Sequence, residues 1–168
     1  MTISLHAVAT RTFVGMLNGL SHVLKRAEAN AAERKIDPAV FLSARIAPDM
    51  YPLAKQVQIA TDHVKGSLHR VAGTEAPKWD DNEKSFAELQ ERIAKAIALV
   101  KEFPADLING QEERPVTLKF AWGELNFTAQ DYLVGYAVPN FYFHITTIYN
   151  ILRHNGVPLG KGDFFGRS

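Results

Sequence analysis

Asn140 and His144 stand four residues apart inside the apolar stretch 139–156, PNFYFHITTIYNILRHNG. On a helix that spacing puts both side chains on one face, within reach of a common ligand. Polar groups in an apolar helix need partners or a purpose. Gln58, Asp62, His63 and His69 in an earlier helical stretch, with Thr147 and Arg153 in this one, are the other candidates. Imidazole and carboxylate on facing helices are the ingredients of a divalent metal site. His144 with Asp62 or His63 is therefore a candidate metal centre, and Asn140, Gln58 and Thr147 a candidate pocket beside it. The competing assignment is a buried His144 bonded to a neighbouring helix, with Asn140 capping the turn after Pro139. Asparagine is a poor ligand for transition metals, and two histidines do not complete a coordination shell.

The elements that must position these groups follow from apolar spacing. Leu5, Val8, Phe13, Met16, Leu17, Leu20, Leu24 and Ala27 form the stripe of a long amphipathic helix, capped by Ser4, running to about Lys35 and stopped by Asp37-Pro38. Residues 38–49 read as a connector with one helical turn. The stripe returns from Met50 to Val71 and ends at Ala72-Gly73. On this second long helix Gln58, Asp62 and His69 lie opposite the stripe, so periodicity sends them to solvent, while His63 sits at its flank beside Ile59 and Ala60. Ser85 and Glu88 form a capping box for a third helix ending at Phe103-Pro104.

Between Asp106 and Ala129 the period shortens, and Val116, Leu118 and Phe120 alternate toward a Trp-Gly turn followed by Leu125 and Phe127. This predicts a short hairpin. Thr128 and Asp131 start the last helix, which Pro139 either kinks or restarts before Asn155-Gly156 ends it. Leu159, Phe164 and Phe165 pack the tail back over the bundle. Phe141, Tyr142, Phe143 and Tyr149 read as core and subunit contact, and Lys25-Arg26 and Glu112-Glu113-Arg114 as solvated charge.

With 168 residues, 46% hydrophobic and 22% charged, the chain is expected to form one domain, 1–168. Its 19 basic and 18 acidic residues show no block that would grip a polyanion, which argues against nucleic acid. Zero cysteines exclude disulfides and thiolate chemistry and fit a reducing compartment. No stretch approaches the roughly 20 apolar residues of a membrane span, so the expectation is a cytoplasmic protein. The GVPLGKG stretch at 156–162 is no phosphate loop: its glycine spacing is short, no Ser or Thr follows Lys161, and it leaves a helix instead of entering one. No Gly-x-Ser-x-Gly or His-Glu-x-x-His pattern occurs.

The run from Asn140 through His144 to Gly156 resembles the last helix of the DinB/YfiT-like superfamily: His-x3-His, an apolar stretch, Leu-Arg and a closing glycine. QVQIATDHVKG at 56–66, RVAG at 70–73 and the segment 139–166 resemble more closely an uncharacterised bacterial family, a domain of unknown function, within it. The resemblance spans nearly the whole chain. It implies an all-α, up-down-down-up four-helix bundle, here with a short β-hairpin before the last helix, and a homodimer. It also implies a divalent metal held by three histidines, one on the second helix and two on the last, and in some members thiol-dependent transfer or isomerisation with mycothiol, bacillithiol or glutathione. His144 matches the second histidine of the last-helix pair. Asn140 stands where the first would be, and Asp62 or His63 falls near the remaining position. The expected function is a small-ligand-binding or structural protein with a degenerate metal site. The alternative is a divalent-metal-dependent enzyme of the thiol-dependent transferase type, with zinc, nickel or manganese as the candidate ion.

Overall fold

In the computed structural model, which describes residues 3–167, helix α1 spans Leu5–Glu33. Ser4 Oγ accepts the Ala7 N–H at 3.2 Å, the expected N-cap. The helix stops at Glu33 because Lys35 adopts a left-handed φ of 55°. The connector contains a short helix, α2 (Pro38–Ser43), whose first turn is capped by Asp37. Helix α3 (Leu53–Ala72) begins only after Pro52 and closes on Gly73 at φ 68°, a conformation glycine adopts without strain. Helix α4 (Phe86–Glu102) is capped by Ser85, whose Oγ accepts the Glu88 N–H at 3.2 Å, while the Glu88 carboxylate reaches back to the Lys84 N–H and the Ser85 hydroxyl, a variant of the expected capping box.

A 3-10 turn at Ala105–Leu107 leads to strands β1 (Pro115–Phe120) and β2 (Gly123–Thr128), an antiparallel pair in which Phe120 faces Gly123. Val116 and Leu118 point into the core from β1. Helix α5 (Ala129–Asp131) then runs into a π-helical turn, Tyr132–Ala137, and on into α6 (Val138–His154). Pro139 marks a restart within a continuous helical run: α-helix resumes at Val138, with the proline in the first turn of α6, directly after the π turn. Proline offers no N–H, and the π turn absorbs the defect: the Val138 N–H reaches back to Leu133, one residue beyond the α-helical partner.

Helix α1 packs on α4 and α6, and α3 packs on the same two, so the four long helices enclose one core. The described residues are predominantly helical with one hairpin. Phe13, Leu17 and Leu24 of α1 meet Val57, Val64 and Leu68 of α3, Leu89 and Ile93 of α4, and Phe141, Ile148 and Ile151 of α6, all buried in one cluster. Phe13 and Phe141 join α1 to α6 edge-to-face, centroids 5.1 Å apart. The tail folds back as expected through α7 (Lys161–Phe164), which lies on α1 at Gly19; a Cβ there would collide with the Phe164 carbonyl. Asp163 accepts from His22 Nε2 at 2.9 Å and Arg26 Nη1 at 3.1 Å. Arg26 is thus a tail anchor and not merely solvated charge, and Phe165 stays half-exposed with its ring against Phe164. Among the described residues no helix is long and apolar enough to cross a membrane.

Candidate functional site

The seam between α3 and α6 brings His63 and His144 together, their rings stacked at 5.4 Å and 27°. Gln56, two turns before His63 on α3, holds the second ring. Its Nε2 donates to the Tyr51 carbonyl at 3.1 Å, which leaves Oε1 facing His144 Nδ1 at 2.6 Å. An amide oxygen only accepts, so the His144 proton resides on Nδ1 and Nε2 keeps its lone pair. Burial first, and neighbouring His63 second, together pull the His144 pKa down to about 4. Burial also lowers His63, as does the Arg70 cation, against a smaller opposing pull from Asp62. Two neutral imidazoles can stack face to face without charge repulsion.

The other sequence candidates turn elsewhere. Asn140 Nδ2 donates to the Tyr136 carbonyl one turn back, at 2.8 Å, tying down the backbone beside Pro139. Thr147 Oγ1 bonds the Phe143 carbonyl of its own helix at 2.7 Å. His69 Nδ1 meets Thr74 Oγ1 at 2.8 Å, with its ring edge-on to Phe103. Arg153 donates to the Val157 carbonyl at the end of α6. Gln58 corrects the solvent assignment: it is only 5% exposed, because the loop between α3 and α4 folds over the outer face of α3 and Glu83 takes its Nε2 at 2.9 Å.

Asp62 belongs to the same covered face. Its carboxylate meets Lys65 at 2.9 Å and Arg92 at 3.1 Å. Arg92, buried on α4, also reaches Asp81 at 3.0 Å, Glu83 at 2.8 Å and Thr61 Oγ1 at 2.7 Å, under the Trp79 ring. Sequence reasoning passed over Arg92 and Gln56. The signals were present: a lone arginine between Leu89 and Ile93 on an apolar face, opposite an acidic loop, and a glutamine seven residues before His63 on the same helical side.

Beside His63 opens a cleft of about 380 Å³, lined by His63, Arg70, Tyr132, Tyr136 and residues 117–120 of β1. That volume is at the small end of ligand sites, which run from about 300 to 1,000 Å³. The π turn puts Tyr132 and Tyr136 side by side, rings 6.0 Å apart, with Phe127 of β2 against both. Arg70 Nη1 donates to the Tyr132 hydroxyl at 3.1 Å. Tyr132 is 1% exposed, and burial raises its pKa.

Among the described residues no three His, Cys, Asp or Glu side chains gather as a metal shell. A pair of imidazoles, with the nearest carboxylate committed to two cations, does not fit a three-ligand centre. A family model described as a domain of unknown function, DUF1993, matches residues 5–165. The chain belongs to the DUF1993 family. A DinB family member protein from Shewanella denitrificans, known by crystal structure, is similar to this DUF1993 chain at 36% identity, with a TM-score of 0.88 over 98% of this chain and 93% of that one. DUF1993 therefore lies within the DinB-like superfamily, as the closing motif implied. No curated protein matches the chain.

Proposed function

We propose that this DUF1993 protein is a small-ligand-binding protein in which the superfamily's metal centre has decayed to the pair His63 and His144. One observation carries the reading: two neutral, stacked imidazoles beside a ligand-sized cleft, with Asn140 bonded to its own helix where the family implies a histidine. Asp62 is diverted to Arg92 and Lys65, and Gln58 and Thr147 support the helices around the site. The up-down-down-up helix order, a homodimer and a cytoplasmic setting complete the proposal. Half-exposed Phe143 and Val134 on the last helical stretch support a subunit contact, and the lack of cysteines supports a reducing compartment.

The test is a fragment screen followed by the imidazole resonances of His63 and His144. Saturable shifts at His63 are expected for at least some fragments. No fragment moving His63 at millimolar concentration, with the protein folded, would overturn the reading. A second reading, a divalent-metal-dependent enzyme of the thiol-dependent transferase type, is favoured by Gln56. Holding Nδ1–H and leaving Nε2 free is the arrangement a metal-binding histidine requires. Two imidazoles with no third ligand beside them among the described residues do not complete the shell that chemistry needs.

A further inference from the structure

We infer that the cleft between α3, the Tyr132–Ala137 turn and β1 binds a small organic acid, its carboxylate held by Arg70 and Tyr132 and its apolar body laid against Tyr136, Leu118 and Phe120. This rests on the small-ligand reading above and names the ligand class. Among the described residues Arg70 pairs with no carboxylate, and its one hydrogen-bond partner is the Tyr132 hydroxyl. That hydroxyl oxygen accepts from Arg70, so its own proton points to an acceptor that no described residue supplies. The guanidinium and the hydroxyl it bonds at 3.1 Å both line the cleft, and each keeps an N–H or O–H for a ligand there.

The rest of the lining agrees. The His63 ring and the Tyr136 hydroxyl have no hydrogen-bond partner among the described residues, and Lys119 adds positive charge at the rim. Among the described residues no acidic side chain lines the cleft. The lining therefore carries two cations, Arg70 and Lys119, with no carboxylate among the described residues lining it to balance them, beside apolar surface, which suits an anionic head group on an apolar body. Gly66 makes the arrangement possible: the Arg70 guanidinium lies across α3 where any Cβ at 66 would stand. Leu118 and the stacked tyrosines supply a flat apolar wall, and about 380 Å³ accommodates a single ring bearing a carboxylate.

Calorimetric titration of the tag-free protein with benzoate, its neutral isostere benzamide, and inorganic phosphate tests the inference. Benzoate is expected to bind at least about tenfold more tightly than benzamide, since the charged hydrogen bonds distinguish them. Arg70→Gln should weaken benzoate by about tenfold or more and bring the two ligands level, with Arg70→Lys between, because lysine keeps the charge and loses the fork. Equal binding of benzoate and benzamide, or unchanged benzoate binding by Arg70→Gln, would overturn the acid class while leaving the cleft reading intact. Benzoate failing to bind while other fragments shift His63 would overturn it in the same way. Phosphate binding as tightly as benzoate would replace the organic acid with a bare anion site and overturn the role given to the apolar wall.

Discussion

Arg92 and Arg70 approach the same helix, α3, and end in opposite circumstances. Arg92 has a side chain 3% exposed and three carboxylates around it, Asp62, Asp81 and Glu83, so its charge is fully spent within the protein. Arg70 is exposed, meets no carboxylate among the described residues, and lies at a cleft whose polar groups are mostly donors. A cation with its partners built in fastens structure. A cation left with one neutral partner at the wall of a cavity is available to a ligand. The same contrast separates Asp62, committed to the Arg92 cluster, from His63, which faces the cleft.

Removing the saturated arginine gives the largest expected effect. Arg92→Leu should cost about 3 kcal/mol in urea unfolding, because Asp62, Asp81 and Glu83 lose a buried partner and the loop over α3 loses its anchor. A loss under about 0.5 kcal/mol would erase the distinction between the two arginines. Gln56→Leu comes next, at about 1 to 2 kcal/mol, since it strips a partner from His144 Nδ1 and from the Tyr51 carbonyl. Nitrogen shifts of His144 should then report a mixture of tautomers where the native protein has one.

Acid should act through the histidine pair. The unfolded chain protonates such a ring near 6.5 and the folded chain protonates His144 near 4. The unfolded state thus binds protons first, and this contribution is full above about pH 6.5 and is lost as the pH falls toward 4. With screening at a half-open site the loss is on the order of 1 kcal/mol. His144→Gln should flatten that part of the stability profile. A profile with the same slope in both proteins would remove His144 as the cause. The smallest effect belongs to Arg70→Gln, expected to change stability by no more than about 0.5 kcal/mol in the same urea assay.

The long helices were readable because their stripes recur at helical spacing and their ends carry Ser4, Ser85 and Gly73. Pro139 was ambiguous for a physical reason: local sequence does not tell whether a missing N–H is met by a break or by a wider turn, and the π turn decided it. Gln58 was misplaced because periodicity assumes that the face opposite an apolar stripe meets water, whereas here the acidic loop covers it. His63 and His144 were found from their places beside apolar stripes. Arg70 and Tyr132, 62 residues apart, meet only through packing of the last helix on α3, which no local pattern encodes.

Metal content tests the central claim most directly. Elemental mass spectrometry would be run on the tag-free protein as purified and after incubation with zinc, nickel and manganese, with His144→Ala as the control. A degenerate site predicts metal well below stoichiometric under every condition and no difference in the variant. Near-stoichiometric metal that disappears with His144→Ala would contradict the account and make the His63–His144 seam a working metal centre.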